Sequence, residues 1–265
     1  MEFTFSIAYE RMNSASLLSK GTSNMSWSPP ETLQEKLKRW LVPPSLYIKY
    51  LYKKNTLKDE KELLLIPYLA RKTKASIDVG ANKGIYSYIM QKHSGSVFAF
   101  EPNPKMFRIL ATWAKGNIKI FQEALGSEAG NAVLRLPKSS HGYSNQAGSL
   151  NPFATKGKEV GEVPVKVSAL DDLDLPEIGF IKIDVEGFEF DALKGARKII
   201  AKDKPNLLIE IEERHTGRSL KEMIQEVCDY GYIALNFSNN GELKFIEFDS
   251  FTVTNSSNNF IFLPK

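Results

Sequence analysis

The chain has 265 residues, 42% hydrophobic and 25% charged, with 35 Lys+Arg against 31 Asp+Glu for a net charge of +4, a composition that suits one globular domain with an appendage. Its single cysteine, Cys228, and three histidines exclude a disulfide framework and a zinc centre of the Cys/His type; no run of 18 apolar residues and no apolar N-terminal block occurs, so a cytoplasmic protein without a membrane span or secretory signal is expected. The charge is uneven, +6 over residues 1–74 and −2 over residues 75–265.

In chain order, residues 1–30 are rich in serine and end in Pro29-Pro30, the pattern of a flexible tail. Leu33, Leu37, Trp40 and Leu41 recur at helical spacing until Pro43-Pro44, and further helical runs cover residues 47–53 and 60–69. These helices are basic and aromatic, so residues 31–74 form a helical N-terminal extension. Its main reading is a cap on the following domain with its charges in water. A membrane-surface helix over residues 31–58 and a nucleic-acid grip are the alternatives.

From Ala75 strand and helix signals alternate. Strands are expected at Ala75–Val79, Ser96–Phe100, Ile118–Leu125, Phe180–Ile183 and Leu207–Ile211. Helices are expected at Gly84–His93, Pro104–Ala114, Phe188–Ala201 and Leu220–Tyr230. Such alternation makes an α/β fold, a parallel sheet covered on both faces. Residues 126–170 break the rhythm and read as a β-ribbon, Ala132–Leu136 with Val163–Val167, carrying a long loop over Ser139–Lys158. The end of the chain offers strands only, Tyr232–Phe237, Leu243–Phe248 and Phe260–Leu263, with a turn at Asn239-Asn240-Gly241, which predicts an antiparallel edge.

Four motifs sit where strands end. The first, Asp78-Val79-Gly80-Ala81-Asn82-Lys83-Gly84, is a glycine turn from strand to helix, where backbone can approach a ligand closely. The second, Glu101-Pro102-Asn103-Pro104, ends the next strand with an acid suited to both ribose hydroxyls of an adenosine. The spacing Gly80-x-x-x-Gly84 fits neither a dinucleotide fingerprint nor a phosphate loop, and the leading Asp78 disfavours a pyrophosphate. A cationic adenosine compound, S-adenosylmethionine, suits it better. The third motif, Ile181-Lys182-Ile183-Asp184-Val185-Glu186-Gly187-Phe188-Glu189, puts Lys182 and Asp184 into a buried strand end, where both are costly unless paired. The fourth, Glu210-Ile211-Glu212-Glu213-Arg214-His215, brings His215 to the same rim, where it could take a proton near neutral pH. His141, in the long loop, could meet a substrate.

Together these residues resemble the FkbM family of S-adenosylmethionine-dependent methyltransferases. Asp78–Gly84 with Ile85-Tyr86-Ser87 is similar to the family's first motif, and Phe100–Pro104 to its second. Ala124-Leu125-Gly126-Ser127 and Gly148-Ser149-Leu150 fit the third strand and the loop that follows it. Ile181–Glu189 with Leu193-Lys194-Gly195-Ala196 fits the fourth strand, and Glu210–His215 the fifth. The resemblance covers residues 75–215 and extends to 265, so residues 75–265 are expected to be the methyltransferase domain.

The resemblance implies a Rossmann-like sheet of seven strands, mostly parallel with the last antiparallel. It places Asp78, Gly80, Ala81, Asn82 and Gly84 at the methionine end of the cofactor. It gives the ribose to Glu101, with Pro102 and Asn103 beside it, and puts Glu123 and Ala124 near adenine. The acceptor is a hydroxyl group on a sugar, a glycan or a natural product. Asp184 or His215 is expected to take its proton, with Glu186 orienting the acceptor; no metal residues are named and no nucleic acid is expected. The rival readings are a nucleic-acid methyltransferase gripping its substrate through the basic N-terminal segment and an inactive binding module. The first is opposed by Asn151-Pro152-Phe153, which lacks the second proline of an adenine-N6 motif.

Overall fold

A computed structural model describes residues 27–32, 37, 40–58, 60–139, 142–237, 242–249, 251 and 258–265. Residues 1–26, His141 and the turn at Asn239-Asn240-Gly241 lie outside the described residues. Among the described residues the order is α1 (Pro44–Lys58), a 3-10 turn (Lys61–Leu65), α2 (Ile66–Leu69), β1 (Ala75–Val79), α3 (Ile85–His93), β2 (Ser96–Phe100), α4 (Pro104–Trp113), β3 (Ile118–Phe121) and β4 (Ala124–Leu125). There follow β5 (Gly130–Ser139), β6 (Gly142–Tyr143), β7 (Val160–Ser168), β8 (Ile178–Ile183), α5 (Glu189–Lys194), α6 (Arg197–Asp203), β9 (Asn206–Glu210), α7 (Glu213–Thr216), α8 (Leu220–Cys228), β10 (Tyr232–Phe237), β11 (Leu243–Phe245) and β12 (Asn259–Pro264).

The main sheet runs β11-β10-β12-β9-β8-β1-β2-β3. Its centre is parallel, from β3 to β9, and β12 lies antiparallel between β9 and β10. This is the expected Rossmann-like arrangement with an antiparallel last strand, extended at its edge by β11. Strands β1 and β8 are buried at every position because helices cover both faces. One core cluster, around Phe100, Ile181, Leu207 and Phe262, lies on the side of α5, α6 and α8. The other, around Ile89, Met90, Val97 and Leu208, lies on the side of α1 to α4.

The chain winds from β1 to β2 and β3 in one direction, then returns to β8 and β9 on the other side of β1. The carboxyl ends of β1 and β8 therefore flank a switch point, where open α/β sheets place their ligands. The β-ribbon is a second sheet, β4-β7-β5-β6, with β5 and β7 paired from Gly130↔Val167 to Pro137↔Val160. Both strands reach further than expected, since Pro164 sits opposite Val133 without ending the ladder.

The N-terminal extension is a packed cap. Ile48, Leu63, Ile66 and Leu69 bury themselves against Tyr86, Ile89 and Met90 of α3, and Lys49 and Lys53 are exposed to solvent. Pro43-Pro44 separates two helical stretches as expected: residues 37, 40 and 41 are helical, residues 42 and 43 are not, and Pro44 opens α1, where its missing N–H costs nothing. Residues 27–30 depart from the flexible-tail expectation. Trp27 packs edge-on to Tyr143, with ring centroids 4.7 Å apart, and covers Gly161, where a Cβ would lie 2.1 Å from its ring; the Pro30 carbonyl accepts the Lys105 ammonium at 3.0 Å. Among the described residues no helix is long and apolar enough to cross a membrane.

Candidate functional site

A cavity of about 420 Å³ opens at the switch point. Gly80, Ala81 and Asn82 from the turn after β1 form its floor, with Glu101, Pro102 and Asn103 after β2 and Glu123 and Ala124 after β3. Lys182, Asp184 and Glu186 close it at the end of β8.

The turn after β1 is dictated by a close approach. Gly80 has φ +75°, and a Cβ there would stand 2.0 Å from the Asp184 carbonyl oxygen, so the strand end passes β8 as only glycine allows. Asn82 adopts φ +52°, a conformation asparagine tolerates. Its backbone N–H donates to Glu101 Oε2 at 2.6 Å, while the Asn103 N–H donates to Oε1 at 2.8 Å. Both carboxylate oxygens are thus fixed at the end of β2. Burial raises the Glu101 carboxyl to about 7, against the pull of these two amides. Asn103 caps α4 through the Lys105 N–H at 2.9 Å and donates to Asn145 Oδ1 at 3.0 Å.

Two residues expected at the methionine end do not line the cavity. Asp78 is wholly buried behind it, accepting the Ser87 hydroxyl at 2.5 Å and lying 3.8 Å from Lys182 Nζ. Strand alternation explains this, since Asp78 and Val79 point to opposite faces and it is Val79 that lines the cavity. Gly84 precedes α3 and packs on Trp113, whose ring a Cβ would meet at 2.3 Å. At the other end Glu123 accepts Lys166 at 2.7 Å and Ser168 at 2.5 Å. Burial raises its carboxyl, but these two partners outweigh it and hold the group below its ordinary range.

The end of β8 carries a charge cluster. Lys182 Nζ lies 3.1 Å from Asp184 Oδ2, donates to the Gly80 carbonyl at 3.2 Å and stacks over Tyr86 at 4.9 Å. The pairing that a lysine and an aspartate in a buried strand demand is therefore present. Asp184 remains about a third exposed, 34% by side chain, and so faces the cleft. Burial pushes its carboxyl up, yet Lys182 and a proton on Glu210 outweigh burial and keep it ionised. Glu210 is pushed far up by burial and the neighbouring Asp184 charge, so the proton the pair shares resides on Glu210. Asp184, Glu186 and Glu210 each present an oxygen, all within 4.8 Å of one another, a spacing at which they could hold a divalent cation.

Glu186 and Gly187 turn the chain sharply, with φ +54° and +96°. A Cβ on Gly187 would meet His215 at 2.9 Å, so this turn lets His215 close in. His215 Nε2 lies 3.1 Å from Glu186 Oε2. Glu186 lines the cleft and His215 stands behind it, outside the lining. Sequence reasoning expects both at the rim and does not separate their depths. Burial raises the Glu186 carboxyl to about 7 and lowers the His215 imidazole. The ribbon loop buttresses the turn: the Ser149 hydroxyl donates to the Glu186 carbonyl at 2.5 Å, and the Asn151 amide donates to the carbonyls of Gly187 and His215 at 3.1 and 3.0 Å. Glu189, in the first turn of α5, accepts the Gly187 N–H at 2.9 Å.

The structure adds lining residues that the motifs did not reach. Asn145 and Gln146 come from the ribbon loop, whose length was the signal, and stand beside Gly148 and Leu150 of the expected Gly148-Ser149-Leu150 stretch. Leu51, Lys54, Asn55 and Glu60 come from the N-terminal extension, which no motif marks.

Comparison with known proteins agrees with this geometry. The family described as Methyltransferase FkbM domain matches residues 78–234, more than half the chain. Methyltransferase 1 of Beauveria bassiana is 30% identical over 141 residues, 45% of this chain and 57% of that protein. The hexuronic acid methyltransferase AglP of Haloferax volcanii is 28% identical over 158 residues, 55% of this chain and 58% of that protein. The matches thus span less than two thirds of these relatives. A solved structure of a methyltransferase FkbM from Methylobacillus flagellatus KT aligns with a TM-score of 0.48 at 18% identity, covering 73% of this chain and 44% of that one.

Proposed function

We propose, from the premise that the chain belongs to the FkbM methyltransferase family, that it transfers a methyl group from S-adenosylmethionine to a hydroxyl oxygen of a sugar or natural-product acceptor. The observation that carries this reading is Glu101, whose two oxygens are pinned by backbone amides at the end of β2, beside the Gly80 turn. A rigid carboxylate at that place is the receptor for a ribose diol. The donor set fits the whole cofactor. Asp184, held ionised, lines the cavity together with the carboxyl groups of Glu101 and Glu186, which suits a cationic ligand. Asn82 Oδ1 is buried without a hydrogen-bond partner among the described residues, as an acceptor reserved for a ligand donor would be.

When bound, the cofactor supplies an electrophilic methyl group on a sulfonium. Glu101 holds the ribose end, and Glu123, Ala124 and Leu125 bound the adenine end. The protein's main contribution is to fix the acceptor hydroxyl in line with the methyl group. A neutral hydroxyl must also lose a proton as it gains the methyl. Glu186 stands at the cleft wall with a carboxyl raised to about 7, and His215 stands 3.1 Å behind it. In this reading the proton passes to Glu186, His215 orients that carboxylate, and Asp184, held ionised by Lys182, favours the protonated form of Glu186. This amends the expected roles, because Glu186 is interposed between the cleft and His215. A sugar acceptor is favoured because AglP, a relative, bears the name of a hexuronic acid methyltransferase.

The test is incubation of the purified protein with methyl-labelled S-adenosylmethionine and a panel of uronic acid, hexose and polyketide hydroxyl acceptors, read by mass spectrometry. A labelled methyl ether is expected. The reading is sunk by calorimetry that detects no binding of S-adenosylhomocysteine together with no labelled product, even from a host lysate.

A further inference from the structure

The cavity has a wall that the family match does not include. Helix α1 and the 3-10 turn after it are anchored on α3 through Ile48, Leu63 and Ile66. That anchoring brings Asn55 and Glu60 into the lining of the cleft. Glu60 is held rigidly. Its N–H donates to the Asn55 carbonyl at 2.9 Å, and its Oε1 accepts the Asn55 side-chain amide at 2.7 Å. Its other oxygen, Oε2, is buried and has no hydrogen-bond partner among the described residues. The carboxyl is raised by burial and lowered by the Asn55 amide, by Lys182 and by the Tyr86 hydroxyl, which stands near it beyond the hydrogen-bond geometry that Asn55 makes. Both Lys182 and Asp184 act on the Glu60 carboxyl, so Glu60 stands near the end of β8.

A carboxylate with one oxygen fixed and the other bare, buried on a cavity wall, calls for a cationic hydrogen-bond donor. Lys182 does not serve, since Asp78 and Asp184 already neutralise it. If the ribose sits on Glu101, the amino-acid end of the cofactor extends toward β8. We propose that Glu60 binds the ammonium group at the amino-acid end of S-adenosylmethionine, so that the N-terminal extension completes the cofactor site. This rests on the cofactor reading above and adds to it a residue outside the family's matched span. Asn55, which fixes the other oxygen of Glu60, is then the positioning residue.

The test uses the full-length protein and three ligands that share the adenosine: S-adenosylhomocysteine, its analogue lacking the amino group, and 5′-methylthioadenosine, which lacks the whole amino-acid end. Affinities are measured by calorimetry for wild type and Glu60→Gln. One charge-assisted hydrogen bond corresponds to a loss of about ten- to a hundredfold. Wild type is expected to prefer S-adenosylhomocysteine to the deaminated analogue by that factor. Glu60→Gln should lose it for S-adenosylhomocysteine only and keep its affinity for 5′-methylthioadenosine within about twofold. Equal weakening of all three ligands, or no preference in wild type for the amino group, overturns the role of Glu60. Should Glu60→Gln not fold, Asn55→Ala, which frees the Glu60 carboxylate, takes its place: it should weaken the same preference for the amino group, and an unchanged preference overturns the role of Glu60. Wild type that binds none of the three overturns the cofactor reading itself, and this inference with it.

Discussion

Lys182→Met is the substitution whose cost the structure fixes most directly. The ammonium is almost fully buried and lies 3.1 Å from Asp184 and 3.8 Å from Asp78. At an effective dielectric constant of about 20, these separations correspond to attractions of about 5 and 4 kcal/mol. Desolvation of the three charges offsets much of that, and removing one partner of a buried pair typically costs about 3–5 kcal/mol. Methionine fills the volume but leaves Asp78 wholly buried without its cation. The expected result is a loss of about 3–5 kcal/mol in urea unfolding at neutral pH, with a melting temperature lower by roughly 10 °C. The loss should shrink in acid, where Asp78 and Asp184 can take up protons. Asp78→Asn in the Lys182→Met background should restore at least about 1 kcal/mol, because the two sites touch. A Lys182→Met protein within about 1 kcal/mol of wild type, or strict additivity in the double variant, would refute the account of this cluster.

The other expectations are briefer. Gly80→Ala places a Cβ 2.0 Å from the Asp184 carbonyl at φ +75°, so it should destabilise the fold by at least about 2 kcal/mol and distort the cleft floor; chemical denaturation checks this. Glu101, Glu186 and Glu189 are each raised to about 7 from an ordinary 4.5, so between those values the folded chain binds more protons than the unfolded one. Its unfolding free energy should therefore fall as pH rises through that window, whereas stability from the depressed Asp184 is lost only at lower pH; urea midpoints across the range that rise with pH would contradict this. Glu186→Gln should lower kcat by about a hundredfold or more with KM for the cofactor little changed, and His215→Asn should move the acid limb of the kcat profile; unchanged kcat in both sinks the proposed proton route.

The fold was legible where one local rule acts alone. β1 and β2 begin and end where expected, because each is a five-residue apolar run closed by a turn signal, Gly80 or Glu101-Pro102. The long helix expected over residues 188–201 is instead α5 and α6, broken at Gly195. A Cβ there would lie 2.0 Å from the Gly126 carbonyl, a contact between segments far apart in sequence. The site followed the same division. Lys182 with Asp184 could be read as a pair from the cost of burying either alone. That Asp78 turns away from the cleft, or that His215 stands behind Glu186, depends on pleat direction and on the φ of Glu186 and Gly187, which residue type does not announce.

The boundary at residue 75, drawn from charge and motifs, is a boundary in sequence and not in packing, and truncation tests the difference. Ile48, Leu63, Ile66 and Leu69 are no more than 6% exposed and cover Tyr86, Ile89 and Met90 of α3. Burying one such aliphatic side chain contributes about 1.5–3 kcal/mol, so these four alone contribute roughly 6–12 kcal/mol. A whole domain has a net stability of only about 5–15 kcal/mol. A fragment of residues 75–265 would also expose a continuous apolar face beside the cleft, which favours aggregation. It is expected to lack a cooperative melt, whereas removal of residues 1–26 alone should leave all these contacts in place. A fragment of residues 75–265 that melts cooperatively within a few degrees of the full chain would show that the extension is dispensable for folding. Its remaining contribution would then be the wall that Asn55 and Glu60 give the cleft, which ligand binding by that same fragment would measure directly.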